Sequence, residues 1–165
     1  MKKLNLFSGL ALSCVGFLMS STLWAEGHPD FSGNWQLDAE KSELHSRGAT
    51  PATWQIEQNE GTVHLVERAG DKAISDIRCS TDGKDYKIKD DGHAAHVSLY
   101  YNGPMLVEVE TLGQNGDSVI KKRFRMSDDG SVLTVEVMHL APAGKPSEKL
   151  VLTKASAPVS ASASR

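Results

Sequence analysis

The chain has 165 residues, 18 basic and 21 acidic side chains and a formal charge of −3. A mildly acidic chain has no electrostatic reason to seek nucleic acid or anionic membrane, which sets those partners aside. Two cysteines, at positions 14 and 79, rule out a disulfide framework for a chain of this size.

Residues 1–25 read as a secretory signal. Lys2 and Lys3 form a basic start, Leu6 to Leu23 is mostly apolar and uncharged, and Trp24-Ala25 precedes Glu26, the first acidic residue. Cleavage is placed after Ala25, although Leu23 is larger than the small residue usual two positions earlier. A retained anchor is the rival, since the apolar run nears the spanning length of about 20 residues, but it is rich in Ser and Gly. A lipoprotein would need cleavage before Cys14, and Ala11-Leu12-Ser13 suits that poorly. Loss of Lys2 and Lys3 lowers the basic count from 18 to 16 against 21 acids, and only Cys79 survives. The domain is then 26–154, in the periplasm or outside the cell. It is long enough for one real core, and its stability must come from packing.

The mature chain opens on Asp30-Phe31-Ser32-Gly33-Asn34-Trp35-Gln36-Leu37-Asp38, a glycine turn leading into a short strand with one large aromatic. Asp38 to Pro51 lacks periodicity and reads as a loop, or a single helical turn around 39–44. From Trp54 onward, strands alternate with turn residues. Trp54 and Ile56 share a face, Asn59-Glu60-Gly61 turns, and 62–68 follows to a turn at Gly70-Asp71. Residues 73–79 align Ala73, Ser75, Ile77 and Cys79, and Thr81-Asp82-Gly83-Lys84 turns again. Residues 85–89 place Tyr86 beside Ile88, and Asp90-Asp91-Gly92 ends that strand.

The second half repeats the pattern. Residues 94–101 align Ala95, Val97, Leu99 and Tyr101, and Asn102-Gly103 predicts a two-residue hairpin with positive φ at both central residues. Residues 105–112 align Met105, Val107 and Val109 against Glu108 and Glu110. Gln114-Asn115-Gly116-Asp117 turns, and 118–126 aligns Ile120, Phe124 and Met126. After Ser127-Asp128-Asp129-Gly130, residues 132–140 align Leu133, Val135 and Val137. A longer loop with Pro142, Gly144 and Pro146 precedes a last strand at 148–154. Residues 155–165 are Ser/Ala-rich and read as a disordered tail.

About ten strands at this spacing, with tight links and no crossover helix, predict an all-β antiparallel up-and-down barrel. Immunoglobulin-like sandwiches are the rival, with fewer strands and longer connections.

Gly33-x-Trp35 on the first strand of such a meander resembles the glycine-x-tryptophan signature of the lipocalin/calycin superfamily. The likeness extends over most of 30–153 to lipocalin-like exported bacterial proteins, a group of uncharacterised function. It is carried by Phe31 to Asp38 with Lys41-Ser42, by Thr81 to Lys84, and by Arg123-Phe124 with Ser127 to Gly130 and Leu133-Thr134-Val135. The resemblance implies a fold and a compartment. It implies that Gly33 and Trp35 close one end of the barrel, with a basic side chain from a late strand over Trp35. Arg123 and Arg125 are the candidates, although both face outward if Phe124 faces inward. Two departures stand out. No counterpart follows for the helix that lipocalins carry after the barrel, and the middle hairpin reads Tyr101-Asn102-Gly103 in place of an aromatic, an acid and Gly.

Lys122 is the unusual residue, lying between Ile120 and Phe124 on one face. An inward ammonium would pair with a ligand carboxylate, leaving the ligand's body among Trp54, Tyr86, Val97, Leu99 and Phe124. A bulge turning it outward, or an inner ion pair to a residue such as Glu136, would serve equally. His93 and His96 point to opposite strand faces and make a poor metal pair. Cys79 reads as a small buried residue. No nucleophile elbow or phosphate-cradling loop is present, so neither an enzyme, a cofactor nor a metal is expected. Two functions remain: an exported binding module for a small apolar or amphipathic ligand, and a non-enzymatic accessory barrel with a filled core that acts through its outer surface.

Overall fold

The computed structural model describes residues 27–45, 50–90, 93–113 and 117–155. The predicted leader, the Asn115-Gly116 turn and residues 156–165 of the tail lie outside them. Ten strands follow in chain order: β1 (Gly33–Leu37), β2 (Thr53–Asn59), β3 (Thr62–Ala69), β4 (Lys72–Ser80), β5 (Tyr86–Asp90), β6 (His93–Asn102), β7 (Met105–Leu112), β8 (Ser118–Met126), β9 (Val132–Ala141) and β10 (Glu148–Lys154). All pair antiparallel in one sheet, ordered β4-β3-β2-β1-β10-β9-β8-β7-β6-β5. The sheet is an up-and-down barrel, as the strand spacing predicts.

Pairing of β1 with β10 joins the two ends of the meander, so the first and last strands protect each other's edges. The ring is interrupted between β4 and β5, which lie side by side without a ladder. The link between them is tied instead to β6, through Gly83 N–H donating to the Leu99 carbonyl at 2.9 Å and a bridge from Asp82 to Tyr100. The long first loop also makes strand-like contacts. Glu43 and Lys149 exchange backbone hydrogen bonds of 2.8 and 3.0 Å, and Ser42 Oγ accepts from Val151 N–H at 2.9 Å.

The turns follow their glycines, with one change of register. The strand pair Asn102 and Met105 closes the β6–β7 hairpin, so its central residues are Gly103 and Pro104 and not Asn102 and Gly103. Gly103 has φ +58° and proline fixes a negative φ, the sign pattern of a type II′ turn. The hairpin is as expected, but positive φ falls on the first central residue alone. Gly103→Val is expected to cost about 1–2 kcal/mol, because a β-branched residue is strained at positive φ while the space around the site is open. An unchanged melting temperature would contradict that backbone conformation. At the β8–β9 turn, Asp129 accepts from Ser127 Oγ at 2.6 Å and from Ser131 N at 3.1 Å, and these bonds hold its pKa down at about 2.

The second correction concerns β7. By register its inward face is Leu106, Glu108, Glu110 and Leu112, and Met105, Val107 and Val109 lie on the opposite face, where Val107 is itself covered and fully buried. Register decides this, because residues directly across a ladder share a face. Glu108 lies opposite Leu99 on one side and Lys122 on the other, and Glu110 lies opposite Val97 and Ile120. Leu99 and Val97 are fully buried inside the barrel, so both glutamates enter with them.

The interior is layered by the same registers. Toward one end, Leu150, Val135, Phe124, Leu106 and Tyr101 form a continuous cross-strand row, almost all apolar. The next row reads Glu148, Val137, Lys122, Glu108 and Leu99, and the one beyond it His139, Ile120, Glu110, Val97 and Tyr86. One half of the barrel is therefore a packed apolar core and the other half carries charge.

Candidate ligand site at the open end of the barrel

The apolar half is closed by the chain's own opening stretch. Phe31 is fully buried, and Trp35 Nε1 donates to its carbonyl at 3.0 Å. Gln58 binds this segment through Pro29, Phe31 and Ser32, and His28 stacks on Tyr101 with ring centroids 3.7 Å apart. Trp35 lies across the ladders from Trp54 on β2 and Lys154 on β10. The cation over the Trp35 ring is therefore Lys154, with Nζ 5.4 Å from the centroid, and not Arg123. Arg123 projects from the outer wall and is ion-paired with Glu136, its partner across the β8–β9 ladder. Strand parity explains the correction: Phe124 faces inward, so its neighbours Arg123 and Arg125 face outward. Gly33 has φ +149°, and a Cβ there would stand 2.9 Å from Lys154 Cε. Glycine is thus the residue that lets the lysine fold over the tryptophan.

The other half opens on a cavity of about 240 Å³. Its floor and walls include Trp54, Glu67, Ser75, Glu110, Lys122 and Glu148, and its rim includes Thr50, Pro51, Leu112 and His139. The sequence directs these residues there by alternation. Glu67 continues the inward face of Val63 and Leu65, and Glu148 that of Leu150 and Leu152. A bulge opposite Glu67 and Arg68 brings Ile74 into the lining.

Lys122 is 8% exposed and points into this end. Its ammonium is ion-paired with Glu67 and lies 3.1 Å from Glu108 Oε1, its cross-strand neighbour. The arrangement is the inner ion pair, with Glu67 and Glu108 as partners and Glu136 outside. Burial pulls the lysine's pKa down, but the carboxylates of Glu108, Glu67 and Glu110 more than reverse this and hold it well above the ordinary range. The ammonium also stands 5.5 Å from the Trp54 ring centroid, and that ring packs edge-on against Phe124 at 5.8 Å.

Of the residues expected around a ligand, Trp54 and Lys122 line the cavity. Val97, Leu99 and Phe124 are fully buried and do not line it, and the Tyr86 hydroxyl donates to Asp82 Oδ1 at 3.0 Å. The lining residues that sequence reasoning passed over are Glu67, Ser75, Glu110, His139 and Glu148. Three buried polar atoms on lining residues find no hydrogen-bond partner: Trp54 Nε1, Ser75 Oγ and His139 Nδ1. Cys79 is buried away from this lining. Desolvation first, and then Glu108 and Asp82, push its thiol up to about 11, so it is no thiolate at neutral pH. Among the described residues no group of three His, Cys, Asp or Glu side chains is arranged to hold a metal ion.

No family model and no curated protein matches the chain. Solved structures do. A fatty acid transporter, REP1-NXSQ, superposes with a TM-score of 0.59 at 14% identity, over 78% of this chain and 98% of that one. A mutant of the fluorescent protein UnaG gives 0.58 at 16%, over 77% and 97%. A fatty acid-binding protein from Drosophila melanogaster brain tissue gives 0.56 at 18%, over 75% and 99%. What these structures share with the chain is the fold, an antiparallel up-and-down β-barrel.

Proposed function

We infer that the chain is an exported binding protein that takes one small apolar or amphipathic molecule into the open end of its barrel. The observation that carries this is the cavity itself, bounded by a packed core below and lined by buried polar atoms that lack protein partners. Such atoms are costly when left dry and unpaired, so the site suits an occupant that supplies their hydrogen bonds. Two structural neighbours, a fatty acid transporter and a fatty acid-binding protein, support small-molecule binding by this barrel type. At about 240 Å³ the cavity lies near the small end of the range for ligand pockets, roughly 300–1,000 Å³, which suits a small molecule.

Export rests on the leader pattern of residues 1–25, and the likeness to lipocalin-like exported bacterial proteins supports the same address. The accessory-barrel reading keeps one observation in its favour: the half containing Leu106, Phe124, Leu133 and Leu152 is filled solid.

One measurement addresses both parts. Mass spectrometry of protein recovered from the exported fraction should give a denatured mass beginning at Glu26. Under native conditions it should give a non-covalent adduct of a size the cavity admits. A dominant species retaining Met1 would refute the address. A clean apo mass that does not change on adding octanol would move the function to the outer surface.

A further inference from the structure

The buried charged side chains among the described residues are four glutamates, Glu67, Glu108, Glu110 and Glu148, and a single lysine, Lys122. One ammonium cannot neutralise four carboxylates. Lys122 is committed to Glu67 and Glu108. Glu148 stands two strands away in the same cross-strand row, with Val137 between them. At about 4.8 Å per strand, roughly 10 Å of wall separates the two backbones. Glu148 is 9% exposed, lines the cavity, and has no ion-pair or hydrogen-bond partner for its side chain among the described residues. A mostly buried acid that meets water only through the cavity and has no protein cation is unfavourable there, and the fold gains nothing in packing from it that a glutamine or leucine would not supply.

We propose that this cavity selects a small organic cation, a protonated amine on a short apolar body, with Glu148 as its principal counter-charge. The proposal rests on the binding function and specifies its ligand. Glu110 and Glu67 add negative potential on the facing walls, and Trp54 offers an aromatic face of the kind that attracts cations. The unpartnered Trp54 Nε1–H sits in the same lining and suits a ligand hydroxyl or carbonyl oxygen. A ligand carboxylate would enter a site that already carries an excess of its own charge, with its one cation occupied, so acids are rejected by repulsion. A metal ion is a poor alternative, because the acidic side chains do not converge in a group that would coordinate one.

The test is calorimetric titration of the mature protein with three probes of equal length: octylamine, octanol and octanoate. Octylammonium should bind at least ten-fold more tightly than octanol, and octanoate more weakly than octanol. Glu148→Gln should lower octylammonium affinity by ten-fold or more and leave octanol unchanged, which also shows that the variant is folded. Octanoate binding as well as octylammonium, or a Glu148→Gln variant that keeps the full preference, would overturn cation selection while leaving the binding function standing. Octanol binding without any preference for the amine would do the same. If none of the three probes binds wild type, the binding function falls and the ligand class falls with it.

Discussion

Lys122→Met is expected to destabilise the barrel by about 3–5 kcal/mol at neutral pH, a fall in melting temperature on the order of 10–20 °C. Methionine matches the lysine's volume, so little is lost in packing. The cost arises because Glu67 and Glu108, both almost wholly buried, lose the ammonium that lies between them. Two controls separate this from a simple packing defect. Replacing Glu67 and Glu108 by Gln in the Lys122→Met background should recover most of the loss, since neutral groups of the same shape carry no uncompensated charge. Acid should narrow the gap between Lys122→Met and wild type, because protonating either carboxylate removes that charge. On the alkaline side the sign is opposite. The folded-state pKa of Lys122 is raised above its unfolded value, so its stabilisation is fully present below about pH 10 and is lost only as pH rises through the folded value. The difference between variant and wild type should therefore be flat from neutral pH to about pH 9. A variant that melts like wild type at pH 7 would mean that the ion cluster is open to water.

The strands were legible because their signals are local. Alternation and turn glycines placed the strands after the first loop within a residue or two, and Gly61, Gly70, Gly83 and Gly130 all adopt the positive φ that a turn glycine predicts. Which face points inward was legible only where one face is clearly apolar. On β6 it is, and Ala95, Val97 and Leu99 enter as read. On β7 both faces carry aliphatic residues, Leu106 and Leu112 against Val107 and Val109, so local pattern cannot choose between them. The choice is made by register with β6 and β8, a non-local property, and it carries Glu108 and Glu110 inside. The inward Lys122 was visible as a charge on an apolar face, and the same signal marked Glu67 beyond Val63 and Leu65 and Glu148 before Leu150 and Leu152. A glutamate at a strand end is ordinarily solvated, so that signal is weak until the barrel closes around it. The cation over Trp35 was hidden for a similar reason. Only the β1–β10 ladder sets Lys154 opposite the tryptophan, and no feature of the sequence near Trp35 announces that pairing.

Trp35→Ala should destabilise by about 3–5 kcal/mol, the range for removing a large buried aromatic. Trp35 is 1% exposed, and its indole joins the first strand to the segment that plugs the closed end, through the hydrogen bond to the Phe31 carbonyl. Removing it empties the space between Phe31 and Trp54 and leaves that carbonyl without its donor. Trp35→Phe keeps most of the volume and loses the donor, so it should cost less, about 1–3 kcal/mol. Lys154→Ala removes the cation alone. Lys154 is exposed, so a contact of this kind is worth about 0.5–1 kcal/mol. The expected order is Trp35→Ala, then Trp35→Phe, then Lys154→Ala, as read from denaturant midpoints at constant m-value. If Lys154→Ala were as costly as Trp35→Ala, the closed end would be held by the cation and not by the buried plug. If Trp35→Phe matched Trp35→Ala, the Phe31 hydrogen bond would outweigh the packing around it.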